Sequence, residues 1–305
     1  MMNDSILIVG SGAMASLFAA RLAHSGVAVT LLGSWQAGLQ ALRQSGVRLA
    51  GNNGKDAVYP VTVVEHPRDC SGFRLALVLV KSWQTERAAR QLAECLPREG
   101  LALTLQNGFG NRETLIEALG PERVALGVTT TGATLVEPGR VRPVGDGSVS
   151  LGMHPRIEPV AEMLDQAGFK IEIVADTDSL LWGKLVINAA INPLTALLRV
   201  QNGELLNRPS ARALLGTTAR EAASVAHARG VVLPYADPVL AAETVAERTH
   251  ANTSSMLSDI KRGAPTEIEA ISGAIVKTGE EANVPTPVNR TLWRLVKAAA
   301  HPSSQ

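Results

Sequence analysis

Lys184, Asn188 and Asn192 recur at a spacing of four within an otherwise apolar run, LWGKLVINAAINPLTALL, over residues 181–198. Residues four apart share one face of a helix, so Lys184 and Asn188 should point the same way. Pro193 disfavours helical geometry at the residue before it. The helix is therefore expected to end near Ile191, with Asn192 in the turn that follows. Burying a lysine and amides costs on the order of several kcal/mol unless partners satisfy them. A polar ligand would supply those partners, and so would neighbouring backbone or solvent; spacing leaves both readings open. A lysine packed among Leu181, Leu185 and Val186 would have its pKa lowered from roughly 10.4, toward values useful to a proton donor.

A second polar group lies further on. The stretch Asn252-Thr253-Ser254-Ser255-Met256-Leu257-Ser258-Asp259 reads as a helix start that presents hydroxyls. Pro265-Thr266-Glu267-Ile268-Glu269 reads as another. There, Thr266 as N-cap and Glu269 three residues later would make a capping box. Glu267 would then be only a first-turn acid that favours the helix dipole. Catalysis by Glu267 is the competing reading.

The first half carries a different signature. Gly10-Ser11-Gly12-Ala13-Met14-Ala15 follows an apolar strand, Ile6–Val9, and opens a helical stretch, Ala13–His24. This is a dinucleotide fingerprint with alanine as its last small residue. Gly10 permits the tight turn, Gly12 lets backbone approach a pyrophosphate at the helix N-terminus, and Ala15 keeps helix and strand close. The second strand, Val27–Leu32, ends in Gly33-Ser34-Trp35 with no acid to bind a ribose 2′-hydroxyl and no adjacent arginine. Ser34 could hydrogen-bond a 2′-phosphate, and Trp35 could cover an adenine or pack on its own helix. NADP is the cofactor expected, with NAD admitted. Leu75–Val80 and Leu101–Leu105 read as strands leading to Lys81 and Asn107. If they end at the same edge, both residues lie beside the cofactor. A solvated loop lysine and a plain turn requiring positive φ are the alternatives.

Strands alternating with helices imply a parallel sheet of βαβ units. Between residues 124 and 151 short runs broken by Gly and Pro read as antiparallel hairpins added to that sheet, followed by a helix over 155–167 and a strand over 170–174. From Asp176 onward helical spacing dominates, through 177–191, 209–229, 236–250, 267–282 and 286–299. The fold class expected is an N-terminal α/β Rossmann-type doubly wound sheet over 1–176, followed by an all-α substrate-binding and dimerisation domain over 177–305.

Composition excludes several other classes. At 305 residues there is room for two cores, and 46% hydrophobic with 19% charged residues does not describe a disordered chain. A formal net charge of +1 argues against a nucleic-acid or membrane surface. Lys184, Asn188 and Asn192 interrupt the longest apolar run, so no membrane span is expected. The N-terminal MMNDSILIVGSG lacks the pattern of a signal peptide, and two cysteines, Cys70 and Cys95, do not make a disulfide framework. A cytoplasmic location is expected, and no bound metal.

Taken together the motifs resemble the ketopantoate reductase (2-dehydropantoate 2-reductase) family. The resemblance covers nearly the whole chain: GSGAMA at 10–15, VKSWQ at 80–84, QNGFG at 106–110, WGKLVINAAINPLTAL at 182–197, SSMLSDI at 254–260 and TEIEAISG at 266–273. It implies that Lys184 is the general acid, supported by Glu267 and Asn107. It implies that Asn188, Asn192, Asn202 and Ser255 line the substrate pocket, and that Lys81 lies at the cofactor with Gly10, Ser11, Gly12, Ala13, Met14, Ser34 and Asn107. The implied reaction is NADPH-dependent reduction of ketopantoate, a small 2-oxoacid, to pantoate, a step of pantothenate biosynthesis. A homodimer is expected from the architecture, since a helical domain with many Ala and Val positions could bury a dimer face. Ser34 stands about where many members carry the arginine that holds the 2′-phosphate. Two other readings stand beside this one: a related dehydrogenase for another 2-oxo or 3-hydroxy acid, and a dinucleotide-binding sensor without turnover. Loss of the lysine or glutamate would mark the sensor, and both are present.

Overall fold

A computed structural model describes residues 5–51, 55–70 and 72–300; residues 1–4, at the start of the N-terminal segment read above, lie outside that set. The chain forms two compact units, one of residues up to 106 and 111–177, the other of residues 107–110 and 178 onward.

The first unit is built on strands β1 (Ser5–Val9), β2 (Ala28–Leu32), β3 (Val47–Ala50), β4 (Asp56–Tyr59), β5 (Thr62–Val64), β6 (Leu75–Val78), β7 (Leu101–Thr104), β8 (Val124–Thr129), β9 (Gly132–Glu137), β10 (Arg140–Val144), β11 (Ser148–Gly152) and β12 (Lys170–Val174). Its helices are α1 (Ala13–His24), α2 (Gln36–Ser45), α3 (Thr85–Cys95), α4 (Asn111–Leu119) and α5 (Glu158–Gln166). The main sheet has the order β12-β11-β8-β7-β6-β1-β2-β5. Its run from β5 to β8 is parallel throughout, and β11 turns antiparallel against β8.

The sequence of β1 explains the layering. Ile6, Leu7, Ile8 and Val9 are all buried, as an interior parallel strand covered on both faces requires. Alternation along the strand sends Ile6 and Ile8 to the layer of Leu17, Phe18 and Leu22 from α1. It sends Leu7 and Val9 to the layer of Ala88 and Leu92 from α3 and Leu115 and Leu119 from α4.

The expected hairpins of 124–151 divide between two sheets. β8 and β11 join the main sheet, but β9 and β10 pair with each other and with β3 in a second sheet, β4-β3-β10-β9. The reason lies in α1, which is buried over Ala15–Ala20 and at Leu22 and so needs cover on more than one side. The second sheet supplies it, packing β3, β4, β9 and β10 against α1.

The second unit is helical. It contains α6 (Thr177–Leu198), α7 (Pro209–Ala228), α8 (Pro238–Arg248), α9 (Ser255–Lys261), a π turn at Glu269–Gly273, α10 (Ala274–Glu281) and α11 (Pro287–Ala299). Short α7 side chains, Ala219, Ala222, Ala223 and Ala226, line its core with Leu185, Val186 and Leu194 of α6. The carboxylate of Glu221 caps α11, accepting from Val288 N, Asn289 N and Asn289 Nδ2, each at 2.9 Å. A helix start leaves such N–H groups without intrahelical partners, and an anion there also meets the favourable end of the dipole.

The expected end of α6 near Ile191 is overturned, because the helix runs on to Leu198 with Pro193 inside it. A mid-helix proline costs about 3 kcal/mol. Every residue from Ala189 to Ala196 is buried, and that packing outweighs the local penalty. By length and composition α6 could cross a membrane, but 72% of its apolar window is buried inside the protein, as in a core helix.

Candidate active site

Parallel pairing puts the ends of β1, β2, β6 and β7 at one edge of the main sheet. Gly10 leaves β1 with φ +132°, and a Cβ there would stand 2.9 Å from Leu79 O. Only glycine suits both the angle and the approach. Gly12 is the N-cap of α1 and gives it no side-chain cap, while a Cβ at Gly12 would meet nothing within 4 Å. The first turn, Ala13 to Ala15, thus offers backbone donors beside open space, which fits a dinucleotide pyrophosphate. Ala15 is fully buried between helix and sheet. Ser11 is buried against Gly33, where a Cβ would approach Ser11 Oγ to 2.9 Å.

Ser34 is exposed at the end of β2, and Trp35 packs its ring over Gly38 in the first turn of α2. The sequence shows no arginine beside Ser34, but the fold brings one: Arg87 of α3 donates from Nη1 to Ser34 Oγ at 2.7 Å. Fifty-three residues separate the two, so no local pattern could have revealed the pair. Lys81 is half-buried in the loop after β6. That loop is braced by Gln106, whose Nε2 donates to Val80 O at 3.0 Å and to Thr85 Oγ1 at 2.8 Å.

The helical unit gathers the remaining residues. Because α6 continues through Pro193, Lys184, Asn188 and Asn192 form one unbroken stripe. Asn192 is buried, while Lys184 and Asn188 are half-buried. Desolvation lowers the Lys184 pKa from 10.5 to about 8, and the charge of Glu267 pulls the other way. Glu267 itself is only 5% exposed. Beside the lysine, Tyr235 Oη donates to Gly183 O at 2.8 Å, and a Cβ at Gly183 would stand 2.7 Å from Pro234. Glycine before Lys184 therefore lets the 234–235 segment close on α6, a packing demand that the motif alone does not announce.

The capping box at 266–269 is not what forms. Glu269 Oε1 lies 2.6 Å from Lys297 Nζ of α11, and residues 269–273 make a π turn with Gly273 N donating to Ile268 O. A tertiary cation has taken the carboxylate that the local motif assigned to the backbone. The carbonyl of Ala270 in this turn accepts from Phe109 N at 2.9 Å, and the Phe109 ring lies 5.2 Å from that of Trp182. Gly108 has φ +88°, and a Cβ there would collide with Ala270. Asn107 thus belongs to a segment held against the turn that follows Glu267.

At the far end of the stripe, the hydroxyls of Thr195 and Ser254 share a hydrogen bond at 2.8 Å, while Thr195 Oγ1 also faces the carbonyls of Ile191 and Asn192 at 3.0 Å. Ser254 also caps α9, accepting from Leu257 N at 3.1 Å. Ser254 is consumed structurally, and its neighbour Ser255 is left exposed. Asn202 Nδ2 donates to Thr249 Oγ1 at 2.8 Å, and Asn202 N donates to Asn252 O. The Asn202 Oδ1 is buried with no hydrogen-bond partner among the described residues.

An α/β unit with a parallel sheet and a glycine-rich first turn, followed by an all-α unit with a half-buried lysine beside a carboxylate, defines a Rossmann-type protein with an appended helical domain. Family profiles described as "Ketopantoate reductase PanE/ApbA" and "Ketopantoate reductase PanE/ApbA C terminal" match residues 6–156 and 176–300. The chain belongs to the ketopantoate reductase family, a family of oxidoreductases. It is 39% identical to the 2-dehydropantoate 2-reductase of Archaeoglobus fulgidus over 96% of both chains. It is 36% identical to that of Halobacterium salinarum over 96% of this chain and 98% of the other. Among solved structures, a PanE/ApbA family ketopantoate reductase from Ralstonia eutropha matches with TM-score 0.91 at 31% identity, covering 97% of this chain and 98% of that one. A ternary structure of D-mandelate dehydrogenase with NADH and anilino(oxo)acetate matches with the same TM-score and coverage at 27% identity.

Proposed function

We propose that this chain reduces 2-dehydropantoate to pantoate with NADPH. The observation that carries the reading is Lys184, whose ammonium is tuned to about 8 on the same helical stripe as two asparagine amides. The nicotinamide, when bound, supplies the hydride that the keto carbon accepts. Lys184 Nζ stabilises the charge that develops on the carbonyl oxygen and delivers its proton there. A pKa near 8 keeps the lysine mostly protonated at neutral pH while making the proton easier to release than from an exposed lysine. Glu267 holds that ammonium in place and opposes further loss of its proton. Asn107 supports the pair from the turn after β7. Asn188, Asn192, Asn202 and Ser255 bind the substrate, its carboxylate falling to the Ser255 hydroxyl and the amides.

In the α/β unit, Gly10, Ser11, Gly12, Ala13 and Met14 hold the pyrophosphate, and Ser34 and Lys81 flank the rest of the dinucleotide. Both cysteines are free, which suits a reducing cytoplasm. The proposed assembly is a homodimer, and a sedimentation experiment giving only the 32.1 kDa species at micromolar concentration would reject it.

A second reading is favoured by the D-mandelate dehydrogenase similarity: reduction of another 2-oxoacid through the same lysine. A panel of 2-oxoacids assayed with NADPH and NADH separates the two. Highest kcat/KM on 2-dehydropantoate supports the first; preference for an aromatic 2-oxoacid overturns it.

A further inference from the structure

We infer that Arg87 is the residue that selects the adenosine 2′-phosphate, doing from the first turn of α3 what an arginine directly after β2 would otherwise do. The inference rests on the α/β unit being the dinucleotide-binding unit, as proposed above.

The end of β2 is where a Rossmann-type sheet meets the adenosine ribose, and the side chains there distinguish a 2′-hydroxyl from a 2′-phosphate. Ser34 occupies that position with a short, neutral hydroxyl that cannot by itself balance a phosphate. The β1 strand lies between β2 and β6 in the sheet, so the helix after β6 begins close to the β2 end. Arg87, third residue of α3, reaches across and donates to Ser34 Oγ at 2.7 Å. Having accepted that bond, the serine still has its own proton to donate. The Arg87 Nε is buried and has no hydrogen-bond partner among the described residues. A guanidinium offers donors in a planar fork that matches phosphate oxygens, so serine and arginine together present one cationic, multidentate anion site.

The surrounding charges agree. Glu65 directly follows β5, the strand paired with β2, and is already engaged by Arg43 at 2.7 Å and Gln36 Nε2 at 2.6 Å. Its carboxylate is thereby occupied on the α2 side, and is not left to repel a phosphate or to claim a 2′-hydroxyl. Glu86, next to Arg87, is strongly exposed and lies 3.9 Å from Arg90.

The test is equilibrium binding, read without turnover. Titrations of the full-length protein with NADPH, NADH, 2′,5′-ADP and 5′-AMP give four dissociation constants for wild type, Arg87→Met and Arg87→Lys. Arg87→Met is expected to weaken NADPH and 2′,5′-ADP by about tenfold to a hundredfold, the range for loss of a charged hydrogen-bond partner. NADH and 5′-AMP should change less than about twofold, and Arg87→Lys should fall between, since it keeps charge without the fork. Equal weakening of NADPH and NADH, or no weakening of either, with wild-type binding intact, overturns the role of Arg87 alone. Wild-type protein that binds none of the four ligands overturns the dinucleotide reading and this inference with it. Thermal melts of the variants accompany the titrations; a variant melting more than about 10 °C below wild type is replaced by Ser34→Asp. The acid placed against Arg87 should then cost NADPH far more than NADH, and equal affinities would reject the assignment.

Discussion

A hydrogen bond joins the hydroxyls of Thr195 and Ser254, tying the last turn of α6 to the N-cap of α9 across fifty-nine residues of sequence. The bond fixes the residue before Ser255 to the helix that carries the lysine–asparagine stripe. Thr195→Val keeps the shape of the side chain and removes the hydroxyl. Thr195 is fully buried and Ser254 nearly so, so the lost bond should cost about 1–3 kcal/mol of stability. If Ser255 binds substrate, KM should rise several-fold while kcat stays near wild type. Unchanged KM in a folded Thr195→Val protein would separate this contact from the substrate site.

Lys184→Met keeps the length of the stem and removes the charge. With Lys184 as general acid, kcat should fall by about 10²–10⁴-fold while NADPH affinity is nearly unchanged. The stability of the two proteins should also diverge with pH. A lysine whose folded pKa is about 8 binds fewer protons folded than unfolded between there and 10.5. Its presence costs stability in full below pH 8, on the order of 3 kcal/mol, and the cost fades as pH rises toward 10.5. Wild-type stability relative to Lys184→Met should therefore climb across that window. Parallel stability curves from pH 7 to 10.5 would mean that the lysine is not desolvated.

The same titration governs turnover. An obligatory proton donor must be charged, so kcat should be level below about pH 8 and fall above it. Glu267 pulls the lysine pKa upward, so Glu267→Gln should move the falling limb to lower pH. A pH-rate profile whose limb stays in place in Glu267→Gln would show that the carboxylate does not act through Lys184.

Glu221 offers a control away from the chemistry. Replacing it with alanine strips α11 of three hydrogen bonds and leaves Asn289, fully buried, with donors to satisfy. Denaturant unfolding should show a loss of about 1–3 kcal/mol, with kcat and KM close to wild type. A large fall in kcat at unchanged stability would contradict the purely structural role.

Local chemistry was the legible part of this chain. The fingerprint at Gly10–Ala15 and the stripe of every fourth residue from Lys184 are short-range patterns, and the backbone at both follows them. What escaped was decided at a distance. Pro193 carries a local penalty, and burial of its neighbours overrode it. Glu269 sits three residues after Thr266 as a capping box asks, but Lys297 of α11 claimed its carboxylate. The β9–β10 hairpin is readable as a hairpin, whereas its choice of β3 over the main sheet depends on what α1 leaves uncovered. Arg87 is unremarkable in a helical stretch until the sheet order sets it against Ser34.

Residues 107–110 belong to the helical unit, so the polypeptide passes between units three times, after 106, after 110 and after 177. Cutting the gene at the single obvious boundary would not yield two self-sufficient halves. A fragment beginning at 178 would lack Phe109, leaving Ala270 O without its donor and the Trp182 ring without its neighbour. The fragment ending at 177 would carry Gly108 and Phe109 with nothing of their own unit to pack on. Recombination between relatives at that boundary should accordingly work only when the QNGFG segment is exchanged together with the helices it fits.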